Sequence, residues 1–204
     1  DGLADVVRVS NGQVAYWPNL GYGRFGARVV MGGMSGFESE SLMRADRVRL
    51  ADIDGSGTTD VVYFDGEGAR VWINGAGNRF QPPVRIGSVP AVHALAHVDV
   101  LDLEGRGTGC LVWSSTAPGD HEFRLRYVPL LETKPYLLST VTNGRGLETR
   151  VRYAPSTRFY LEDRAAGRPW VTRLPFPVQV VEEVEVIDHV TGHRMVTSHA
   201  YHHG

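Results

Sequence analysis

The sequence predicts an all-β chain that contains part of a β-propeller followed by a segment rich in β-hairpins. Its 204 residues include 24 glycines, and short β-branched runs alternate with turn residues, which is typical of sheets joined by tight turns. A turn motif recurs along the first half of the chain. Repeats of about 40–50 residues that each hold several strands are typical of propeller blades.

The first two copies of the repeat are related by one constant offset of 55 positions, which is difficult to obtain by chance at four places at once. The matched pairs are Trp17 and Trp72, Asn19 and Asn74, Arg24 and Arg79, and Phe25 and Phe80. In a third copy, 50 positions further on, the loop 102–110 aligns with the loop 52–60. Trp17, Trp72 and Trp113 are interpreted as packing anchors between blades, because Trp17 and Trp72 recur in register, as core positions of repeats do. The alternative is a platform for a ligand.

The loop 52–60 is a candidate site for a hard cation such as Ca²⁺, which binds six to eight oxygen ligands. It is not an EF-hand, because no glutamate occupies its twelfth position. The alternative is an Asp- and Gly-rich hairpin turn without metal. The expected ligands are the side chains of Asp52, Asp54, Ser56 and Asp60 and the carbonyl of Thr58.

The third loop departs from this pattern, because Arg106 replaces Ser56 and Cys110 replaces Asp60. A guanidinium inside a cation site repels Ca²⁺ and neutralises neighbouring carboxylates. We therefore hypothesise that Arg106 takes the place of the metal in this copy. Only the end of the first loop is present, with Asp1 at the fifth ligand position.

Residues 1–130 are expected to form the propeller blades, two to three repeats of which the first is truncated. The Asn-Gly pair at 11–12 predicts a hairpin turn, and a loose connector is expected at 31–45. Pro82 and Pro83 are expected to end the second blade, since adjacent prolines cannot continue a sheet interior. The predicted strands are 6–9, 13–17, 47–50, 61–64, 69–73, 111–114 and 125–130.

Residues 131–204 are predicted to form a separate β-rich segment. Strands are expected at 134–141, 148–153, 178–187 and 194–202, with an irregular charged stretch at 154–170. Five histidines lie near its end, but without a cysteine or a helical spacing they are interpreted as hydrogen-bonding surface residues rather than as zinc ligands. They are His189, His193, His199, His202 and His203.

Bulk properties exclude several classes of protein. The net charge of −2 with scattered signs gives no basic surface for nucleic acid, and no apolar run is long enough to span a bilayer. The single cysteine, Cys110, excludes an internal disulfide framework and is expected to be buried. The chain starts within a repeat and without methionine, so we interpret it as part of a longer protein. No catalytic triad or phosphate-binding loop is recognisable.

Five stretches of the sequence resemble the B component of bacterial insecticidal toxin complexes, the TcB family, which is related to the SpvB virulence proteins. The loops also resemble the broader FG-GAP and VCBS repeats. The stretches with this resemblance are 1–7, 16–25, 51–57, 150–157 and the terminal Tyr-His-His-Gly at 201–204.

The resemblance implies a secreted, non-catalytic scaffold rather than an enzyme. In that family a propeller docks onto the pore-forming A component and acts as a gate. The remainder joins the C component in a hollow shell of Rhs repeats that encloses a toxic enzyme. Residues 1–130 would then be blades, residues 131–204 would lead into the shell, and Ca²⁺ would be structural. Alternatives are a secreted FG-GAP/VCBS-type adhesin and a polysaccharide-cleaving propeller enzyme.

Overall fold

The computed structural model describes residues 2–87 and 89–203. Asp1, expected at the fifth position of the first loop, and Gly204, the last residue of the terminal motif, lie outside the described residues. The contacts divide the chain into two compact units, Asp1–Leu101 with Gly109–Leu130 and Asp102–Thr108 with Leu131–Gly204. Residues 102–108 of the third loop thus belong to the second unit, whereas the strands on either side of the loop belong to the first.

The first unit contains three larger antiparallel sheets that follow one another along the chain, and one sheet of two short strands. The first comprises β1 (Val6–Ser10), β2 (Gln13–Trp17) and β3 (Val29–Met31). A 3₁₀ turn at Ala45–Arg47 precedes the second, whose strands are β4 (Val48–Ala51), β5 (Asp60–Asp65), β6 (Gly68–Trp72) and β9 (Val84–Ile86). Between β6 and β9 in the sequence, β7 (Asn74–Gly75) and β8 (Arg79–Phe80) form the sheet of two short strands. The third comprises β10 (Ala96–Leu101), β11 (Cys110–Ser115) and β12 (Leu125–Pro129), with a 3₁₀ turn at Pro118–Asp120.

The second sheet is buried on both of its faces. Successive side chains of a strand point to opposite faces, and those of β5 divide between two hydrophobic cores. Tyr63 packs with Phe37 and Trp72 in one core, whereas Phe64 packs with Trp113 in the other. Each core therefore joins the second sheet to residues of a neighbouring sheet.

Two of the three tryptophans interpreted as packing anchors are core residues. Trp72 is 0% exposed and Trp113 is 2% exposed, and each meets a phenylalanine ring edge-on, at centroid distances of 5.2 and 5.8 Å. Trp17 is half-buried. Trp72 and Trp113 are thus packing anchors, as expected.

The second unit contains a sheet of four antiparallel strands in chain order and one helix. Its elements are β13 (Thr140–Thr142), β14 (Leu147–Pro155), α1 (Ser156–Ala165), β15 (Gln179–Asp188) and β16 (Arg194–Ser198). A small core of Ala154, Phe159 and Trp170 lies where the helix follows the sheet. In the described part of the chain, no helix is long and apolar enough to cross a membrane.

The expectation that 154–170 is irregular is wrong, because α1 occupies ten of these residues. The buried positions of the helix are Ser156, Phe159 and Asp163, of which only one is apolar, so no hydrophobic period indicated a helix. Both polar residues are buried because they have partners. The hydroxyl of Ser156 accepts a hydrogen bond from the Val178 N–H at 3.0 Å, and Asp163 accepts one from the Trp170 indole at 2.7 Å.

Other predicted boundaries also need correction. Pro82 and Pro83 do not end the second sheet, because β9 resumes pairing with β6 directly after them as an edge strand. The connector at 31–45 begins one residue inside β3. The strand expected at 134–141 shrinks to β13, since Tyr136 has a positive φ of 65°, which extended backbone does not allow. The return strand ends at Ser198 rather than at residue 202.

Candidate metal centre

The loop between β4 and β5 brings three carboxylates together. Carboxylate oxygens of Asp52, Asp54 and Asp60 all lie within 4.8 Å of one another. Asp52 is exposed, whereas Asp54 and Asp60 are buried. Within residues 2–87 and 89–203, this is the one group of three or more His, Cys, Asp or Glu side chains that converge so closely.

The tight curl of the loop depends on the first aspartate and on two glycines. The two oxygens of Asp52 accept hydrogen bonds from the backbone N–H groups of Ser56 at 3.0 Å and Gly57 at 2.8 Å. Gly55 and Gly57 have φ angles of 70° and 84°, in the left-handed region that only glycine enters freely. The carboxylate therefore closes the turn while it remains part of the acidic cluster.

Asp60 is the most enclosed of the three carboxylates, at 0% exposure. Its oxygens accept hydrogen bonds from the Ile53 N–H at 2.9 Å and the Asn74 N–H at 2.7 Å. Burial raises the pKa of Asp60 to about 6, the two hydrogen bonds oppose the rise, and the charges of Asp54 and Asp52 add to it. Concentrated negative charge of this kind is what a bound cation offsets.

The two hydroxyl residues of the loop lie beside the carboxylates. The Ser56 and Thr58 hydroxyl oxygens are 2.9 Å apart, and the Thr58 hydroxyl donates to the carbonyl of Asn74 at 3.3 Å. The side chains that could coordinate an ion here offer only oxygen atoms, which suits a hard cation. The residues present thus fit Ca²⁺. The ligand role of each, including the Thr58 carbonyl, stays a prediction.

Sequence reasoning missed the partner of the recurring aspartate. In the first copy the Asn19 N–H donates to Asp5 at 2.8 Å, and the Asn19 amide donates to the Ala4 carbonyl. The second copy repeats both contacts, because Asn74 donates in the same way to Asp60 and to the Thr59 carbonyl. The signal was available, since aspartate and asparagine recur together at the offset of 55. The pair links the loop 52–60 to the turn after β6.

The third loop has the same hydrogen-bonded turn as the loop 52–60, but not its cluster of three aspartates. Asp102 accepts hydrogen bonds from the Arg106 and Gly107 N–H groups at 2.9 and 2.7 Å, as Asp52 does in the second loop. The Arg106 guanidinium lies 3.1 Å from Glu104, and Cys110 is buried. An arginine thus pairs with an acidic residue of this loop, and the replacement of metal by Arg106 stays a hypothesis.

Two of the five histidines of the second unit form hydrogen bonds with carboxylates. His189 lies 2.6 Å from Glu148, and His202 lies 2.6 Å from Asp163. Asp163 also accepts a hydrogen bond from Trp170, and these two bonds lower its pKa, that from His202 more strongly. His202 of the terminal motif is thereby fastened to α1.

The chain matches a known protein family over most of its length. Residues 70–204, more than half of the chain, match the family model of the insecticide toxin TcdB middle/N-terminal region. The chain belongs to this family. The resemblance to the B component of insecticidal toxin complexes is thereby confirmed, and so is the all-β class. No curated protein matches the chain.

Solved structures of toxin complexes match nearly the whole chain. A structure of the Photorhabdus luminescens Tc holotoxin pore is 32% identical over 100% of this chain, with a TM-score of 0.85. Crystal structures of TcdB2-TccC3-Cdc42 and of TcdB2-TccC3 are 32% and 30% identical over 98% of it, with TM-scores of 0.82 and 0.81. The chain spans 9–10% of the length of these matched chains.

Proposed function

We propose that this chain is a non-catalytic structural segment of the B component of a secreted insecticidal toxin complex. Its first unit would supply consecutive blades of a β-propeller, and its second unit would begin an Rhs-like shell. The family assignment and the matched toxin-complex structures support this proposal. FG-GAP/VCBS-like loops would then connect strands within the blades.

The observation that carries the proposal is the double-sided burial of the second sheet. Its β5 residues Val62 and Tyr63 are each 0% exposed, yet they lie in different cores on opposite faces. A sheet that packs neighbours on both faces is what a blade inside a propeller requires. The recurring Asp-Asn pair further supports equivalent roles for the first two sheets.

The second unit has features that suit the start of a larger sheet. Its edge strands β13 and β16 are exposed along their whole length. On one face, Arg152 of β14 pairs with Glu183 of β15 at 2.9 Å, whereas the opposite face carries Val151 beside Val184. Two free edges allow further strands to add on either side, as the shell proposal needs.

The proposed partners are the pore-forming A component, which would dock onto the propeller, and the C component, which would complete the shell around a toxic enzyme. The complex would act outside the bacterium, and the chain itself would bind no nucleic acid and insert into no membrane. We also propose that Asp52, Asp54, Ser56, Thr58 and Asp60 hold a structural Ca²⁺. Such an ion would link β4 to β5 and offset the repulsion within the acidic cluster.

The test uses the longer protein that contains this chain, produced together with its C component. We expect Trp72→Ala to open the first unit, so that the C component still co-purifies but binding to the A component is lost. Trp170→Ala should open the second unit and impair co-purification of the C component. Tyr22→Ala is the matched control, because Tyr22 is fully exposed.

Hydrogen exchange on both variants verifies which unit has opened. Full binding of the A component by a Trp72→Ala protein whose first unit exchanges freely would refute the docking role. If the wild-type protein binds neither component but does bind a glycan array, the adhesin alternative replaces the proposal.

A further inference from the structure

A basic cleft lies in the first unit, away from the acidic loop. Its volume is about 410 Å³. It is bordered on one side by the segment that leads into and includes β4, and on the other by the segment that leads into β10. The lining residues are Arg44, Asp46, Arg47, Arg49, Val92, His93, Ala94 and Ala96.

The charges that line the cleft do not cancel. The one acidic lining residue, Asp46, accepts two hydrogen bonds from the Nε and Nη2 of Arg44, at 3.0 and 2.8 Å. Arg47 and Arg49 therefore leave the lining with two net positive charges. Outside the lining, Glu38 forms a long ion pair with Arg47 at 3.6 Å and also accepts a hydrogen bond from the Tyr63 hydroxyl at 2.6 Å.

Arg49 is held in place by backbone atoms rather than by a carboxylate. Its Nε donates to the Val98 carbonyl at 2.5 Å, and its Nη1 donates to the carbonyls of Asp46 and Val48 at 2.9 and 2.8 Å. These bonds fix the plane of the guanidinium and leave the Nη2 donors for a ligand. A guanidinium ordered in advance loses little entropy when it binds an oxyanion.

The ring of His93 borders the same cleft. Its Nδ1 accepts a hydrogen bond from the Leu95 N–H at 3.2 Å, so the neutral ring carries its proton on Nε2. Beside these polar groups, Val92, Ala94 and Ala96 form an apolar wall of the cleft. A wall of low polarity strengthens the field of nearby charges.

We propose that this cleft binds an acidic peptide segment of another protein, with side-chain carboxylates on Arg47 and Arg49 and small apolar groups on the Val92–Ala96 wall. Arginine is suited to carboxylates because its fork of donors matches both oxygens. A sulfated glycan would satisfy the arginines but gain little from the apolar wall, so the peptide is the better match. This site goes beyond the proposed scaffold role and does not depend on it.

The test measures fluorescence anisotropy with the longer protein that contains this chain and a short fluorescein-labelled peptide of alternating glutamate and alanine. A glutamine–alanine peptide serves as the uncharged probe, and a heparin oligosaccharide as the competing polyanion. We expect Arg47→Gln to weaken binding of the acidic peptide at least fivefold. We expect Asp46→Asn, which frees Arg44, to tighten binding at least twofold. The control Arg24→Gln makes the same charge change at an exposed residue outside the cleft.

Circular dichroism and melting temperatures verify that each variant is folded, and the gain expected for Asp46→Asn cannot arise from unfolding. Equal weakening by Arg24→Gln and Arg47→Gln would overturn the proposal, because binding would then reflect net charge alone. Absence of binding by the acidic peptide at low ionic strength would also overturn it. Tighter binding of heparin than of the peptide, lost in Arg47→Gln, would assign the cleft to sulfated glycans instead.

Discussion

The recurring Asp-Asn pair permits a matched test of what a buried hydrogen bond contributes. Asp60 and Asp5 accept the same bond from Asn74 and Asn19, at 2.7 and 2.8 Å. They differ in environment, because Asp60 is 0% exposed whereas Asp5 is exposed. Replacing each aspartate with alanine therefore removes the same contact from a dry site and from a wet one.

The expected losses differ severalfold. Asp60→Ala leaves the Ile53 and Asn74 N–H groups without their acceptor, and each unsatisfied buried donor costs about 1–3 kcal/mol. The substitution also removes the buried carboxylate of Asp60, whose pKa is raised to about 6 by burial, and this recovers part of the cost. We expect a net loss of about 3 kcal/mol in the free energy of unfolding. For Asp5→Ala, water replaces the carboxylate, and we expect a loss of about 0.5 kcal/mol.

The assay is urea unfolding of the 204-residue chain, followed by tryptophan fluorescence at pH 7 in EDTA, so that metal binding does not contribute. Asp60→Asn should fall between wild type and Asp60→Ala, because its one carbonyl oxygen still accepts one of the two bonds. Equal losses for the two alanine variants, or a loss below about 1 kcal/mol for Asp60→Ala, would refute the assignment of Asp60 as the buried acceptor of two backbone donors.

Three further predictions concern the loops and the second unit. Millimolar Ca²⁺ should raise the melting temperature of the wild type but not of Asp54→Ala, since only a native site stabilises the fold; an equal rise in both would place the ion elsewhere. Gly105→Ala should lower the melting temperature more than Gly57→Ala. Both glycines have positive φ, but a Cβ at 105 would lie 2.8 Å from the Thr157 methyl group, whereas one at 57 meets nothing within 4 Å; equal losses measured by calorimetry would contradict this. The pKa of Asp163 is depressed from 3.8 by its hydrogen bond from a histidine and then by that from an indole. The stability it contributes is therefore present above pH ~4 and lost on acidification, so Asp163→Asn should flatten the acid limb of the stability curve, and an unchanged acid limb would exclude this role.

The elements predicted best are those whose signals are local. The strand β2 has its predicted bounds, Gln13–Trp17, because an Asn-Gly turn fixes where the hairpin reverses, and Gly12 has the positive φ of 77° that this turn needs. The cluster of carboxylates in the loop 52–60 was recognisable for the same reason. Its glycines and its spacing of carboxylates lie within nine residues, so one short stretch contains the whole pattern.

The elements predicted worst depend on residues far away in sequence. The helix α1 presents Ser156 and Asp163 to the interior, and these polar residues are tolerated there only because Val178 and Trp170 donate to them. The edge strand β9 was missed because it pairs with β6 across an intervening turn. No local hydrophobic period reports such partners.

The sequence by itself determined the repeat, the turns, the oxygen-rich loop and the family, because each of these is a pattern of residue types at fixed spacing. Only the tertiary structure decided how those residues are used. In the folded chain Asp60 is the acceptor for the Asn74 N–H. The side chains of Thr157 and Gln179 donate hydrogen bonds to the carbonyls of Gly105 and Arg106, and these bonds hold the third loop within the second unit. The physical reason is that a buried polar group needs a partner, and the chain supplies that partner from wherever folding brings it near.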